Sequence, residues 1–99
     1  MSRGSQETPR SLEYGVLLGL LKEAREASGL SQKEICDRLG KPRNYLIKVE
    51  GGERRLDVVE TFALCEAMGA DAMAIFGRFA VEAARLGGRS ALQPEQPNA

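Results

Sequence analysis

The sequence contains no histidine and no tryptophan, and only two of its 99 residues are cysteines. Without histidine, Cys36 and Cys65 cannot complete the cysteine–histidine spacings of zinc sites. The chain also has no glycine-rich phosphate loop and no arrangement of a nucleophile with a base. The sequence therefore predicts that the protein is not an enzyme and binds no cofactor and no metal.

Long apolar runs are also missing. No stretch approaches the ~20 apolar residues that a membrane span needs. The N-terminal segment MSRGSQETPRS has no apolar core behind its charges, so an export signal is not expected. We therefore expect a cytoplasmic protein with reduced thiols.

The net charge is zero, but the charges are unevenly distributed. From Arg38 to Arg55 six basic residues stand against two acidic ones, whereas from Asp57 to Glu82 five acidic residues stand against one basic residue. A phosphate-binding surface needs only one basic face. The zero net charge therefore does not exclude a nucleic-acid partner.

Between residues 11 and 86 the apolar residues recur at helical spacing, and no alternating strand pattern occurs. We expect one all-α domain of five helices joined by short loops. The polar residues 1–10 are predicted to be a flexible arm. Residues 87–99, which contain Gly87-Gly88 and two prolines, are predicted to be a disordered tail.

Capping signals predict the limits of the first three helices. The first helix is expected after Ser11 and ends near Ala27. The second begins at Ser31, which has a glutamate at the capping-box position three residues later, and ends at Gly40. The third is expected from Pro42 or Arg43 to Glu50, because proline is tolerated at a first helical position.

Capping signals also predict the limits of the remaining two helices. The fourth opens at Asp57, again with a glutamate at the capping-box position, and ends before Gly69. Its predicted buried residues are Val58, Phe62, Cys65 and Met68. The fifth is expected to begin at Asp71 and to continue to about Leu86.

The segment from Gln32 to Gly51 joins the second and third helices through a short turn. Two helices that cross steeply need a small residue at the crossing and a positive φ in the turn, and Cys36 and Gly40 provide these. Apolar residues must also hold the pair together, and the spacing supplies Ile35, Leu39, Leu46 and Val49.

With these features the sequence resembles the helix-turn-helix family of phage repressors and Cro proteins, which also includes many bacterial regulators. The resemblance covers about 17–76. It is carried by Leu21, Arg25, Gly29-Leu30-Ser31-Gln32, Glu34-Ile35, Leu39-Gly40, Tyr45-Leu46, Val49-Glu50, Gly52, Arg54 and Ala67-Met68-Gly69. It implies a compact, five-helix, lambda-repressor-like DNA-binding domain over 11–86.

The resemblance also implies roles for single residues. Gln32 would contact a phosphate, and the third helix would enter the major groove of double-stranded DNA. There Arg43 would read a guanine and Asn44 an adenine. Position 47 departs from the family, which often has a small polar residue there, and the apolar Ile47 would meet a thymine methyl group. The full set of expected DNA contacts is Gln32, Lys41, Arg43, Asn44, Tyr45, Ile47, Lys48, Arg54 and Arg55.

Other matching positions are interpreted as structural. Arg25 and Glu50 match positions that commonly form a buried ion pair between the first and third helices of this family, so they are not assigned to DNA. Cys36 and Cys65 match positions where the family often has alanine, which favours small buried residues over a redox switch.

The sequence departs from the family pattern at two further positions. Pro42 stands where the family usually has a serine or threonine cap, and Leu56 stands where it often has proline.

The last helix is long for this family, and part of its apolar stripe is expected to complete the core. The expected dimer interface is Phe76, Phe79, Ala80, Ala83 and Leu86.

The function expected from these features is that of a sequence-specific transcriptional regulator, in particular a repressor that binds a palindromic operator as a homodimer. One alternative is an antitoxin, in which residues 1–16 or the tail from Gly87 would neutralise a toxin protein. Another is a restriction–modification controller protein.

Overall fold

The computed structural model describes residues 11–86. All regular structure in this range is helical, in five elements: α1 (Leu12–Ser28), α2 (Gln32–Leu39), α3 (Tyr45–Glu50), α4 (Val58–Met68) and α5 (Ala72–Arg85). The predicted all-α fold of five helices is confirmed. The expected arm (1–10) and tail (87–99) lie outside the described residues. None of the five helices combines the length and the apolar character needed to span a bilayer.

Capping boxes begin α2 and α4, as the sequence predicts. At α2 the Glu34 amide donates to Ser31 Oγ (3.0 Å), and the Ser31 amide donates to Glu34 Oε1 (2.8 Å). Asp57 and Glu60 exchange the same pair of bonds at α4 (2.7 and 2.9 Å). Each box satisfies two amide groups that a helix start would otherwise leave without partners.

The third helix is shorter than predicted, because it begins at Tyr45 and not at Pro42 or Arg43. The Tyr45 amide donates to the Pro42 carbonyl (2.9 Å), so the residues between them form one tight turn. Asn44 lies at the N-cap position with φ −90° and ψ 6°, and its side chain makes no capping bond. Proline has no hydroxyl group to cap the helix from position 42, which explains the later start.

All five helices contribute to the core, and α5 adds Ile75 and packs mainly against α1. The most completely buried side chains of the core are Ile35, Cys36, Leu46, Val49, Leu64 and Cys65. The predicted inward positions of the helix-turn-helix are thus confirmed, although Leu39 is only half-buried. Both cysteines are buried free thiols.

The exposed face of α4 corrects the sequence analysis. Val58 and Phe62, predicted to be buried, are 68% and 50% exposed. The buried face consists of Thr61, Leu64, Cys65 and Met68. Because α4 has apolar residues on two sides, helical spacing alone does not determine which side faces the core.

A buried hydrogen bond joins α1 to the loop before α4. The Leu56 amide donates to the Tyr14 hydroxyl (3.1 Å). A proline at position 56 would have no N–H group, whereas leucine adds a buried donor that needs a partner. Tyr14 supplies that partner, which allows this departure from the family pattern.

Candidate nucleic-acid interface

The α3 helix divides its residues between the core and solvent. Leu46 and Val49 are each 1% exposed. Arg43 and Asn44, on the turn before the helix, and Ile47 and Lys48, within it, are all exposed. Their spacing places them on one side of α3. We call these last four residues the α3 outer surface: Arg43, Asn44, Ile47 and Lys48.

Glu50 links α3 to α1 and α2 through side-chain hydrogen bonds. Its carboxylate accepts from Arg25 Nε (2.7 Å) and from Arg25 Nη2 (3.2 Å). It also accepts from Gln32 Nε2 (3.0 Å) at the start of α2. The hydrogen bond to Glu50 raises the pKa of the Arg25 guanidinium above its ordinary value. The structure thus contains the ion pair that the resemblance implies, and it adds Gln32 to it.

Tyr45, one of the expected DNA contacts, is largely buried. It is 8% exposed and packs within the core, and this burial raises the pKa of its hydroxyl. Lys41 Nζ and Arg54 Cζ lie 5.2 and 5.5 Å from the centre of its ring. A cation this close to an aromatic ring is attracted by the ring's negative face. The Tyr45 ring therefore makes cation–π contacts with both Lys41 and Arg54.

The two arginines after α3 have partners within the protein. Arg54 Nη2 pairs with Glu60 Oε2 (2.7 Å), and Arg54 Nη1 donates to the Arg55 carbonyl (2.7 Å). The hydrogen bond to Glu60 raises the pKa of Arg54. The Arg55 guanidinium lies 4.2 Å from the centre of the Tyr14 ring. Glu60 was not predicted as part of this arrangement, because its capping role already accounted for it.

Three of the predicted DNA contacts have no ion-pair partner among the described residues. Within residues 11–86, Lys41, Arg43 and Lys48 form no ion pair. All three are exposed and lie on α3 or on the segment that leads into it. Cations without partners interact more strongly with an incoming phosphate than paired cations do.

The residues expected to form a dimer interface lie on α5 and at its C-terminal end. Phe76 and Phe79 are half-buried and line a groove with Tyr14, Leu17 and Val58. Ala80 is exposed, whereas Ala83 and Leu86 are half-buried. The groove continues onto the exposed apolar face of α4 through Val58, so this side of the molecule carries apolar surface from two helices.

A short helix packed against α2 through a tight turn, with an exposed outer surface that carries two cations, defines a helix-turn-helix DNA-binding domain. A family model described as "Helix-turn-helix domain" matches residues 16–74. The solved structure of an XRE-family like protein from Pseudomonas syringae pv. tomato is 43% identical, covers 71% of this chain and 85% of that chain, and has a TM-score of 0.68. The chain belongs to the XRE/Cro-type helix-turn-helix family of DNA-binding regulators.

Two more distant structures share the fold. The restriction-modification controller protein C.Esp1396I is 16% identical, with 75% of this chain and 97% of that chain covered and a TM-score of 0.66. The clp gene regulator ClgR from Corynebacterium glutamicum is 23% identical, with 78% and 86% covered and a TM-score of 0.60. At these identities the similarity concerns the fold alone. No curated protein matches the sequence.

Proposed function

We propose that the protein is a transcriptional repressor that binds a palindromic operator as a homodimer, with α3 in the major groove of each half-site. The observation that carries the proposal is the α3 outer surface. Its side chains are exposed, Arg43 and Lys48 have no ion-pair partner among residues 11–86, and Leu46 and Val49 hold the helix to the core behind them.

The chemistry of this surface suits base edges. Arg43 is able to donate two parallel hydrogen bonds to N7 and O6 of guanine, and Asn44 matches N7 and N6 of adenine. Ile47, 56% exposed, offers an apolar contact to a thymine methyl group. Lys48 and Lys41 supply charge for phosphates. The hydrogen bond from Gln32 to Glu50 holds Gln32 at the start of α2, where we propose a phosphate contact.

A single α3 reads too few bases for useful specificity. Two copies whose recognition helices lie one DNA turn apart, about 34 Å, would read both halves of a palindrome. We propose that they associate through Phe76, Phe79, Ala80, Ala83 and Leu86. The apolar groove lined by Phe76 and Phe79 supports this choice, because a second copy would cover it.

Base-reading roles are tested by comparing binding to the operator with binding to random DNA. Arg43→Ala should cost about 1–3 kcal/mol on the operator and relax the preference at one base position. Gln32→Ala should weaken binding to both DNAs, because a phosphate contact carries no sequence information. Arg78→Ala on α5 is the matched control for loss of an arginine. An equal loss for Arg43→Ala on both DNAs would contradict its role.

The dimer is tested by analytical ultracentrifugation with and without operator DNA. Ala80→Arg places a charge in the proposed interface and should give a monomer that loses operator affinity. Ala74→Arg adds the same charge at another exposed position of α5 and should remain dimeric. Dimers that persist in Ala80→Arg would show that another surface associates.

A further inference from the structure

Three side chains from separate parts of the chain meet at the start of α3. The ring of Tyr45 lies 5.2 Å from Lys41 Nζ and 5.5 Å from Arg54 Cζ. The backbones of both cations are fixed by helix ends: the Lys41 amide donates to the Cys36 carbonyl (2.9 Å) and the Arg54 amide to the Lys48 carbonyl (3.1 Å). The backbone positions from which the two cations reach the ring are therefore set by the fold.

Two positive charges that share one ring repel each other. Glu60 offsets this repulsion, because its Oε2 lies 2.7 Å from Arg54 Nη2 and both Lys41 and Arg54 act on its carboxylate electrostatically. The pKa of Glu60 is lowered first by the amide of Asp57 and next by Arg54, so the carboxylate stays ionised at neutral pH.

The two cations are therefore not equivalent. Both terminal nitrogens of Arg54 have partners, one with Glu60 and the other with the Arg55 carbonyl. Lys41 is exposed and, within residues 11–86, has no carboxylate partner. A phosphate that approached Arg54 would have to displace the Glu60 carboxylate from an ion pair, whereas Lys41 interacts with Glu60 only at longer range and has no ion pair to break among the described residues.

We propose that Glu60, Arg54 and the Tyr45 ring are positioning residues that hold Lys41 as the phosphate contact at the start of α3, and that Arg54 itself contacts no phosphate. The inference rests on the proposed DNA-binding function. It changes the role expected for Arg54 and gives one to Glu60, an acidic residue beside a surface for DNA.

The dependence of affinity on salt separates a contact from a positioning residue. On duplex DNA, log K falls as log salt concentration rises, and each phosphate contact makes this slope steeper by about 0.9. Lys41→Gln should therefore lower the slope by about 0.9 per protomer. The double variant Arg54→Gln with Glu60→Gln removes the pair without leaving a free carboxylate, so it should lower affinity by one common factor at every salt concentration and leave the slope unchanged. Arg78→Gln on α5 is the control for loss of an exposed arginine.

Glu60→Gln should make the dependence of affinity on salt steeper, whereas Lys41→Gln makes it less steep. Glutamine still accepts the Asp57 amide in a capping box, so α4 keeps its cap, while Arg54 loses its neutralising charge. Arg54 then becomes available to phosphate, and the slope should steepen by up to about 0.9 per protomer. Glu66→Gln removes the same charge from an exposed position of α4 and should not change the slope.

Tyr45 is tested by its conservative variant. Tyr45→Phe keeps the ring and should retain more affinity than Tyr45→Leu, in preparations that circular dichroism shows to be folded. The inference is overturned if the double variant Arg54→Gln with Glu60→Gln lowers the slope as much as Lys41→Gln does, or if Glu60→Gln alone leaves it unchanged. A wild-type protein that binds no DNA at any salt concentration would instead overturn the proposed function, and this inference with it.

Discussion

Glu50 accepts three hydrogen bonds from side chains of two other helices, two from Arg25 of α1 and one from Gln32 of α2. The side chains of Arg25 and Glu50 are only 17% and 13% exposed. Water therefore screens this pair much less than a surface pair, and removal of one partner leaves a largely buried charge without compensation.

We expect Arg25→Ala and Glu50→Ala each to lower the free energy of unfolding by about 3 kcal/mol, measured by urea denaturation. Glu23→Ala is the control, since its pair with Arg78 is 62% and 61% exposed and should be worth about 1 kcal/mol or less. Similar losses in all three variants would show that burial does not distinguish the two pairs.

The side-chain pairs of the site were only partly predictable. The Arg25–Glu50 pair was expected from matching family positions. The bonds from Gln32 to Glu50 and from Leu56 to Tyr14 join residues 18 and 42 positions apart, and no periodicity in the sequence marks them. Such contacts depend on how the helices pack, which helical spacing does not specify.

The end of α3 depends on a glycine with positive φ. Gly52 has φ 83°, its amide donates to the Val49 carbonyl (3.0 Å), and the Glu53 amide donates to the Lys48 carbonyl (2.8 Å). These bonds satisfy the last carbonyl groups of α3 and turn the chain towards α4. A residue with a Cβ atom at position 52 would be strained in this conformation.

Gly52→Ala should therefore lower the free energy of unfolding by about 1–2 kcal/mol, as followed by thermal denaturation. Gly77→Ala is the matched control within α5, where a Cβ atom would meet open space. That variant should gain up to about 1 kcal/mol, because alanine is the better helix former. Equal effects of the two substitutions would exclude a special role for the Gly52 backbone.

The two apolar faces of α4 differ in their contribution to stability. Leu64 is 2% exposed, so Leu64→Ala should cost about 2–5 kcal/mol in urea denaturation. Phe62 is 50% exposed, and Phe62→Ala should cost about 1 kcal/mol or less. A larger loss at Phe62 than at Leu64 would mean that the exposed face of α4 is covered in solution.

Helix existence and most helix ends were predictable, because local chemistry determines them. Ser31 and Asp57 carry their capping partners three residues later, and glycine follows α1, α2 and α4. The start of α3 and the buried face of α4 were not predictable in the same way. The first reflects the missing cap at position 42, and the second depends on tertiary packing, which selects among local alternatives that the sequence leaves open.

For binding to DNA, the distribution of charge over the molecule matters more than its net charge of zero. Lys41, Arg43 and Lys48, which form no ion pair among the described residues, lie on α3 or just before it, whereas Arg54 beside them is neutralised by Glu60. A protein with no net charge is thus able to present a positive surface to one polyanion. Binding through that surface should weaken steeply as salt concentration rises.

The most direct measurement is a selection of bound sequences from a random pool of duplex DNA, followed by salt titration of the enriched sequence. We predict a palindromic consensus with half-sites one helical turn apart, and a steep fall of affinity as salt concentration rises. Absence of any enriched sequence, or affinity that does not change with salt, would contradict the conclusion that α3 reads DNA.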